Sequence, residues 1–223
     1  MPSLATFNAN NLFLRYRFAN TYPGDLTKKS KSEAATAMGW GFLPQIANGR
    51  FSSKSYVFWD DARRKATAQA LKAVDGKLPD ILCLQEVESM AALRKFNDDH
   101  LGRHYDNFML VDGLDRRQID VAVASIWPII DVRSHVDLSA AGGQRIFSRD
   151  CLEVTIVIPG DAPLTLFVNH LKSKLALGKT QAQKDADTVQ SHAIRRRQAE
   201  TVAKLVSQRM SGRTTTAAAP AAR

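Results

Sequence analysis

Cysteine is scarce in this chain, with only Cys83 and Cys151 among 223 residues. Each sits inside an apolar, strand-like segment, so the pair reads as two buried free thiols rather than a disulfide or a metal pair. Long apolar runs are missing too; none approaches the roughly 18 to 20 residues that a membrane-spanning helix needs. The first residues, Met1 to Phe7, lack a basic stretch followed by an apolar core. No secretory signal is therefore expected, and a cytoplasmic location is the default. Internal repeats are also lacking. Hydrophobic residues make up 44% and charged residues 24%. These are ordinary globular values, so a real core is expected in one sizeable domain.

Acid is in short supply at one end. Residues 170–223 hold 11 Lys and Arg against 3 Asp and Glu, whereas residues 1–169 hold 20 against 19. Nearly all of the formal charge of +9 thus lies in the final quarter. A basic field of this kind favours polyanions such as nucleic acid or anionic lipid headgroups, unless it is only a solvated helix face with a charged tail.

A first strand begins near Thr6 and turns polar through Asn8, Asn10 and Asn11, residues that tolerate left-handed turns. Residues 22–55 have no sustained period and read as a long loop or insertion, with one short helix near Lys31 to Met38. Ala62, Ala66, Ala70 and Val74 recur at four-residue spacing and predict an amphipathic helix over Asp60 to Val74. A second helix is expected from Ser89, a possible N-cap, to Leu101, stopped by Gly102. Further strands are expected at 120–125, 151–158 and 164–170, and a last helix over Val189 to Met210. Residues 211–223 are low in complexity and are expected to be a disordered tail.

The segment Pro79-Asp80-Ile81-Leu82-Cys83-Leu84-Gln85-Glu86 carries the most chemistry. Four apolar residues in a row predict a strand buried on both faces, with Glu86 emerging at its C-terminal end. A carboxylate fixed there suits a hard divalent cation, so metal-dependent phosphoester chemistry is the first expectation.

Four segments then fall into order: Phe7-Asn8; Leu84-Gln85-Glu86; Asp115-Arg116-Arg117-Gln118-Ile119-Asp120; and Val168-Asn169-His170-Leu171-Lys172-Ser173-Lys174. In order and spacing they resemble the endonuclease/exonuclease/phosphatase superfamily, the deoxyribonuclease I-like fold, over roughly residues 4–210. That resemblance implies an α+β fold, a four-layer α/β/β/α sandwich, and a nuclease acting on nucleic acid (DNA ahead of RNA) or on another phosphodiester. It implies Glu86 and Asn8 at a site for Mg²⁺ (or Mn²⁺ or Ca²⁺), and His170, Asn169 and Asp120 as the catalytic group. Arg117, Arg149 and Lys172 would contact phosphate. The implied chemistry is in-line attack by an activated water while the cation stabilises charge on the phosphate. Taken by themselves, Asn8 also reads as a turn residue, Asp120 as a partner for Arg116 or Arg117, and Arg195-Arg196-Arg197 as a solvated helix face.

The sequence also departs from that family. No Gly-Asp-x-Asn follows the last helix, and no Ser-Asp-His motif follows that, so half of the catalytic set has no counterpart. Gln118 stands where similar members carry Gly. Residues 1–210 are therefore expected to form an incomplete domain lacking the C-terminal strands of its second sheet. Three readings remain: a nuclease-like phosphodiester hydrolase, an inactive truncated domain that binds metal or polyanion weakly, or a phospholipid or phosphoinositide phosphoesterase.

Overall fold

The computed structural model describes residues 2–12, 14, 17–18, 56–57, 61–72, 76–115 and 119–212, with the backbone of the last helix followed to Thr216. The 22–55 segment, Arg117 and Gln118 lie outside the described residues. In chain order the elements begin with β1 (Leu4–Leu12), β2 (Arg17–Phe18), β3 (Tyr56–Val57) and α1 (Asp61–Leu71). Then come β4 (Ile81–Val87), α2 (Met90–His100), β5 (Asn107–Leu110), β6 (Asp120–Ser125) and β7 (Ile129–Arg133). The series ends with β8 (Cys151–Ile156), β9 (Leu164–Asn169) and α3 (Gln181–Thr216).

The run of apolar residues in β4 is explained by its position second in a four-stranded sheet of order β1-β4-β6-β5. Side chains alternate across a strand, so both faces must be covered. Leu82 and Leu84 enter one core with Ala68 and Leu71 of α1 and Leu93 and Phe96 of α2. Ile81 and Cys83 point the other way, joining Val121 and Val123 of β6 against Leu152, Val154 and Ile156 of β8. That second core seals the first sheet to a three-stranded antiparallel sheet of order β7-β8-β9. On the far side of this sheet α3 is held by polar contacts. Arg209 Nη2 lies 2.7 Å from Asp131 Oδ2, and its Nε lies 3.0 Å from Glu153 Oε1. Among the described residues the result is an α+β fold with two main sheets, a separate two-stranded β2-β3 ladder and three helices, an arrangement compatible with an α/β sandwich.

Several local expectations change. The buried stripe of α1 is Arg64, Thr67, Ala68 and Leu71, whereas Ala62, Ala66 and Ala70 are exposed. Both stripes have helical spacing, and alanine contributes little burial, so the larger side chains set the face. The last helix starts at Gln181 instead of Val189. Thr180 Oγ1 accepts the Gln183 N–H at 3.2 Å while Gln183 Oε1 accepts the Thr180 N–H at 3.1 Å, a reciprocal capping box. Strands β5 and β7 were not expected from their short, mixed sequences. In α2, Ser89 Oγ accepts the Ala92 N–H at 3.2 Å and Gly102 follows with φ +65°, as the capping signals predict. Cys83 and Cys151 are free and buried, and burial pushes each thiol up to about 12.

Candidate functional site

Strands β1 and β4 run parallel, with Asn8 opposite Gln85, and their regular pairing breaks just beyond. Between Gln85 and Val87 the ladder with β6 also slips, leaving Glu86 as an extra residue with φ 62°. Asn10 and Asn11 take φ values of 50° and 60° beside it. A left-handed backbone costs a residue with a Cβ about 1–2 kcal/mol. A bulge at a strand end re-aims its side chain, which sets the Glu86 carboxylate off the regular alternation of β4.

Glu86 Oε2 accepts the Asn11 N–H at 3.1 Å, and Oε1 lies 3.7 Å from His170 Nε2. His170 follows the last residue of β9 in the other sheet, so this pair bridges the two sheets. Arg149 holds the histidine from behind, its Nη1 donating to the His170 carbonyl at 3.2 Å and its Nη2 pairing with Asp115 Oδ2 at 2.8 Å. Asn169 donates from Nδ2 to the Phe167 carbonyl at 2.9 Å. Its Oδ1 is buried with no hydrogen-bond partner among the described residues. Asn8 Oδ1 accepts the Asn10 N–H at 2.8 Å, the turn-shaping role.

These groups line one open cleft of about 490 Å³ whose walls include Asn8, Glu86, Arg149, Asn169 and His170. Five of the eight site residues expected from sequence thus converge. Arg117 lies outside the described residues. Lys172 lines a neighbouring cavity and not the cleft. Asp120 is buried at the start of β6, outside the cleft wall, where its Oδ1 accepts the Gly113 N–H at 2.8 Å. Burial pushes its carboxyl up to about 6; the Gly113 bond opposes this, Asp112 and Asp115 add to it, and Arg149 opposes it.

Two residues are added. Arg195 lines the cleft, its Nη1 donating to the Lys172 carbonyl at 2.6 Å, so the arginine triplet is not wholly a solvated face. Arg64 is buried in α1 and donates from Nη2 to the Asn11 carbonyl at 2.7 Å, bracing the turn that carries Glu86's backbone partner. Nothing local in the sequence marks Arg64, because its partner is 53 positions away.

Among the described residues no cluster of three or more His, Cys, Asp or Glu is placed to hold a metal. Of the oxygens that line the cleft, the Glu86 carboxylate and the Asn8 amide oxygen are those expected to hold a cation. One carboxylate and one neutral oxygen fit a hydrated hard cation shared with a phosphate, and do not fit an all-protein cage.

No protein-family model matches the chain, and no curated protein matches it. Among solved structures the chain is similar to the crystal structure of SmcL, with 20% identity and a TM-score of 0.43 over 66% of this chain. The match covers 51% of SmcL, so this chain spans about half the length of that neighbour.

Proposed function

We propose that the chain is a phosphodiester hydrolase core of the deoxyribonuclease I-like kind, acting on nucleic acid with DNA ahead of RNA. The observation that carries this reading is the Glu86–His170 pair, 3.7 Å apart across the two sheets in a cleft also lined by arginine. Hydrolysis of a phosphodiester builds negative charge on the phosphate oxygens, and fixed donors aimed at that charge lower the barrier. In this reading His170 Nε2 donates to a phosphate oxygen and can pass a proton to the leaving oxygen, as a histidine near neutrality can. Arg149 fixes the His170 backbone, and Glu86 Oε1, 3.7 Å from the same Nε2 and beyond hydrogen-bond distance, acts on the ring through charge alone. Arg195 binds the phosphate and limits its approach to one side. Mg²⁺, held by Glu86 and Asn8, would supply further charge stabilisation at the same oxygens.

The residues lining the cleft include one histidine and no aspartate, and catalytic groups that act as a unit fail together, so turnover by these residues alone is expected to be slow. A second reading, a weak metal or polyanion binder without turnover, is favoured by one feature. Glu86 Oε2 and Asn8 Oδ1 are both already engaged by backbone N–H groups. Plasmid nicking with Mg²⁺, beside Glu86→Gln and His170→Ala, separates the two. Nicking by the parent that both variants lose supports the hydrolase, and no nicking across a range of Mg²⁺ supports the binder. A phospholipid and an inositol phosphate offered in parallel test the lipid alternative.

A further inference from the structure

Beside the cleft lies a second cavity of about 340 Å³, floored by Leu114, Ile146, Phe147 and Ile194. Arg145, Lys172 and Arg197 stand around it, and no carboxylate is among its lining residues. The two chambers share a wall. Ser148 lines the cavity and the adjoining Arg149 the cleft; Lys172 lies between Leu171 and Ser173 of the cleft, and Ile194 precedes Arg195. Consecutive Cα atoms are only about 3.8 Å apart, so the chambers open within one residue's reach of each other.

The wall is rigidly tied. Gln198 is buried in α3, accepts the Lys172 N–H at 2.8 Å and donates to the Ile146 carbonyl at 3.0 Å. Arg197 Nη1 donates to Gln144 Oε1 at 3.2 Å. Among the described residues neither the Lys172 ammonium nor the Arg197 guanidinium is paired with a carboxylate. Arg145 does have such a partner, Asp137, at 2.7 Å.

Resting on the hydrolase reading, we propose that this cavity is a base subsite. It takes one unstacked nucleobase of a single-stranded nucleic acid while the scissile phosphate lies in the cleft. The charge pattern selects this occupant. Cations flank the apolar floor on the cleft side (Arg195) and again at the cavity (Lys172, Arg197), whereas Arg149 is paired with Asp115. Anionic groups on both sides of an apolar ring describe a chain of phosphodiesters, whereas a lipid presents its acyl chain beyond a single headgroup. A base held in a duplex is stacked above and below and cannot reach such a floor without leaving the stack. The preference is therefore for single strands, bound by apolar contact with the base and charge contact with the backbone.

The test is equilibrium binding in EDTA of a labelled eight-nucleotide single-stranded DNA and a hairpin duplex of matched length. The full chain is compared with Leu114→Glu and Arg197→Ala. Leu114 is 49% exposed, so its substitution leaves the core intact, and thermal melting of each variant checks this. Binding of the single strand is expected to be about tenfold tighter than of the duplex. Each variant should lose about tenfold for the single strand and less than twofold for the duplex. Equal affinity for both DNAs, or equal losses in both, overturns the subsite. So does displacement of the oligonucleotide by phosphatidylserine vesicles that Leu114→Glu no longer binds. Adding Mg²⁺ separates the two claims. Cleavage of duplex without single-strand preference leaves the hydrolase and removes the subsite, whereas preference without cleavage does the reverse.

Discussion

Glu86 illustrates how one residue can conflict with local preference. A glutamate at φ 62° is strained, and the strain persists because Asn11, Asn10 and Arg64 fix the turn around it. Glu86→Gln keeps that shape and removes the charge, so divalent-dependent cleavage should fall at least about a hundredfold with an unchanged melting temperature. Gly113 is constrained by space. A Cβ there would meet Asp120 Oδ1 at 2.6 Å and the Arg149 Cα at 3.0 Å. Gly113→Ala is expected to destabilise the fold by about 1–3 kcal/mol in urea denaturation. Burial pushes the Asp120 carboxyl up to about 6, above its ordinary 3.8. A raised carboxyl contributes stability fully present below about pH 4 and lost as pH rises through about 6. Asp120→Asn keeps an acceptor for Gly113 and should flatten that fall, a difference on the order of 2 kcal/mol at pH 7. Denaturation at several pH values from about 4 to 7 measures it.

At the level of elements, legibility followed the strength of the local signal. The apolar run Ile81–Leu84 identifies β4 because a strand covered on both faces has no polar side to hide. Ser89 and Gly102 bracket α2 by capping chemistry alone. The α3 start is equally readable, since Thr180-x-x-Gln183 is a capping box, but the apolar positions that mark the helix begin only near Val189. The face of α1 could not be read from spacing, because two stripes compete and a buried Arg64 is stabilised only by distant carbonyls. In the site, Glu86, Asn8, Asn169, His170 and Arg149 were legible through ordered motifs. Arg195 was not, because a helix triplet of arginines looks solvated until the turn before it is placed. Toward its C-terminal end α3 is held by Arg209, which reaches Asp131 and Glu153, the latter with a side chain only 5% exposed. His135 Nε2 also contacts that carboxylate, at 3.0 Å. Arg209→Ala leaves a buried charge short of a partner and should cost about 3 kcal/mol, read as a loss of helix end in hydrogen exchange.

For the molecule as a whole, the basic final quarter and the cleft belong together. Residues 170–223 supply His170, Lys172, Arg195 and Arg197, so three of that segment's 11 Lys and Arg line the two chambers. Binding to DNA should therefore weaken steeply with salt, with a log–log slope that becomes shallower by roughly one when Arg195 or Lys172 is replaced by alanine. The proposed role of the Glu86–His170 pair in phosphodiester cleavage is open to direct test. The measurement that meets it most directly is Mg²⁺-dependent nicking of supercoiled plasmid by the parent chain, Glu86→Gln and His170→Ala, each confirmed folded by thermal melting. Nicking by the parent that EDTA and either substitution abolish is the expected result. Nicking that survives both substitutions, or none by the folded parent at any Mg²⁺ concentration, would contradict it.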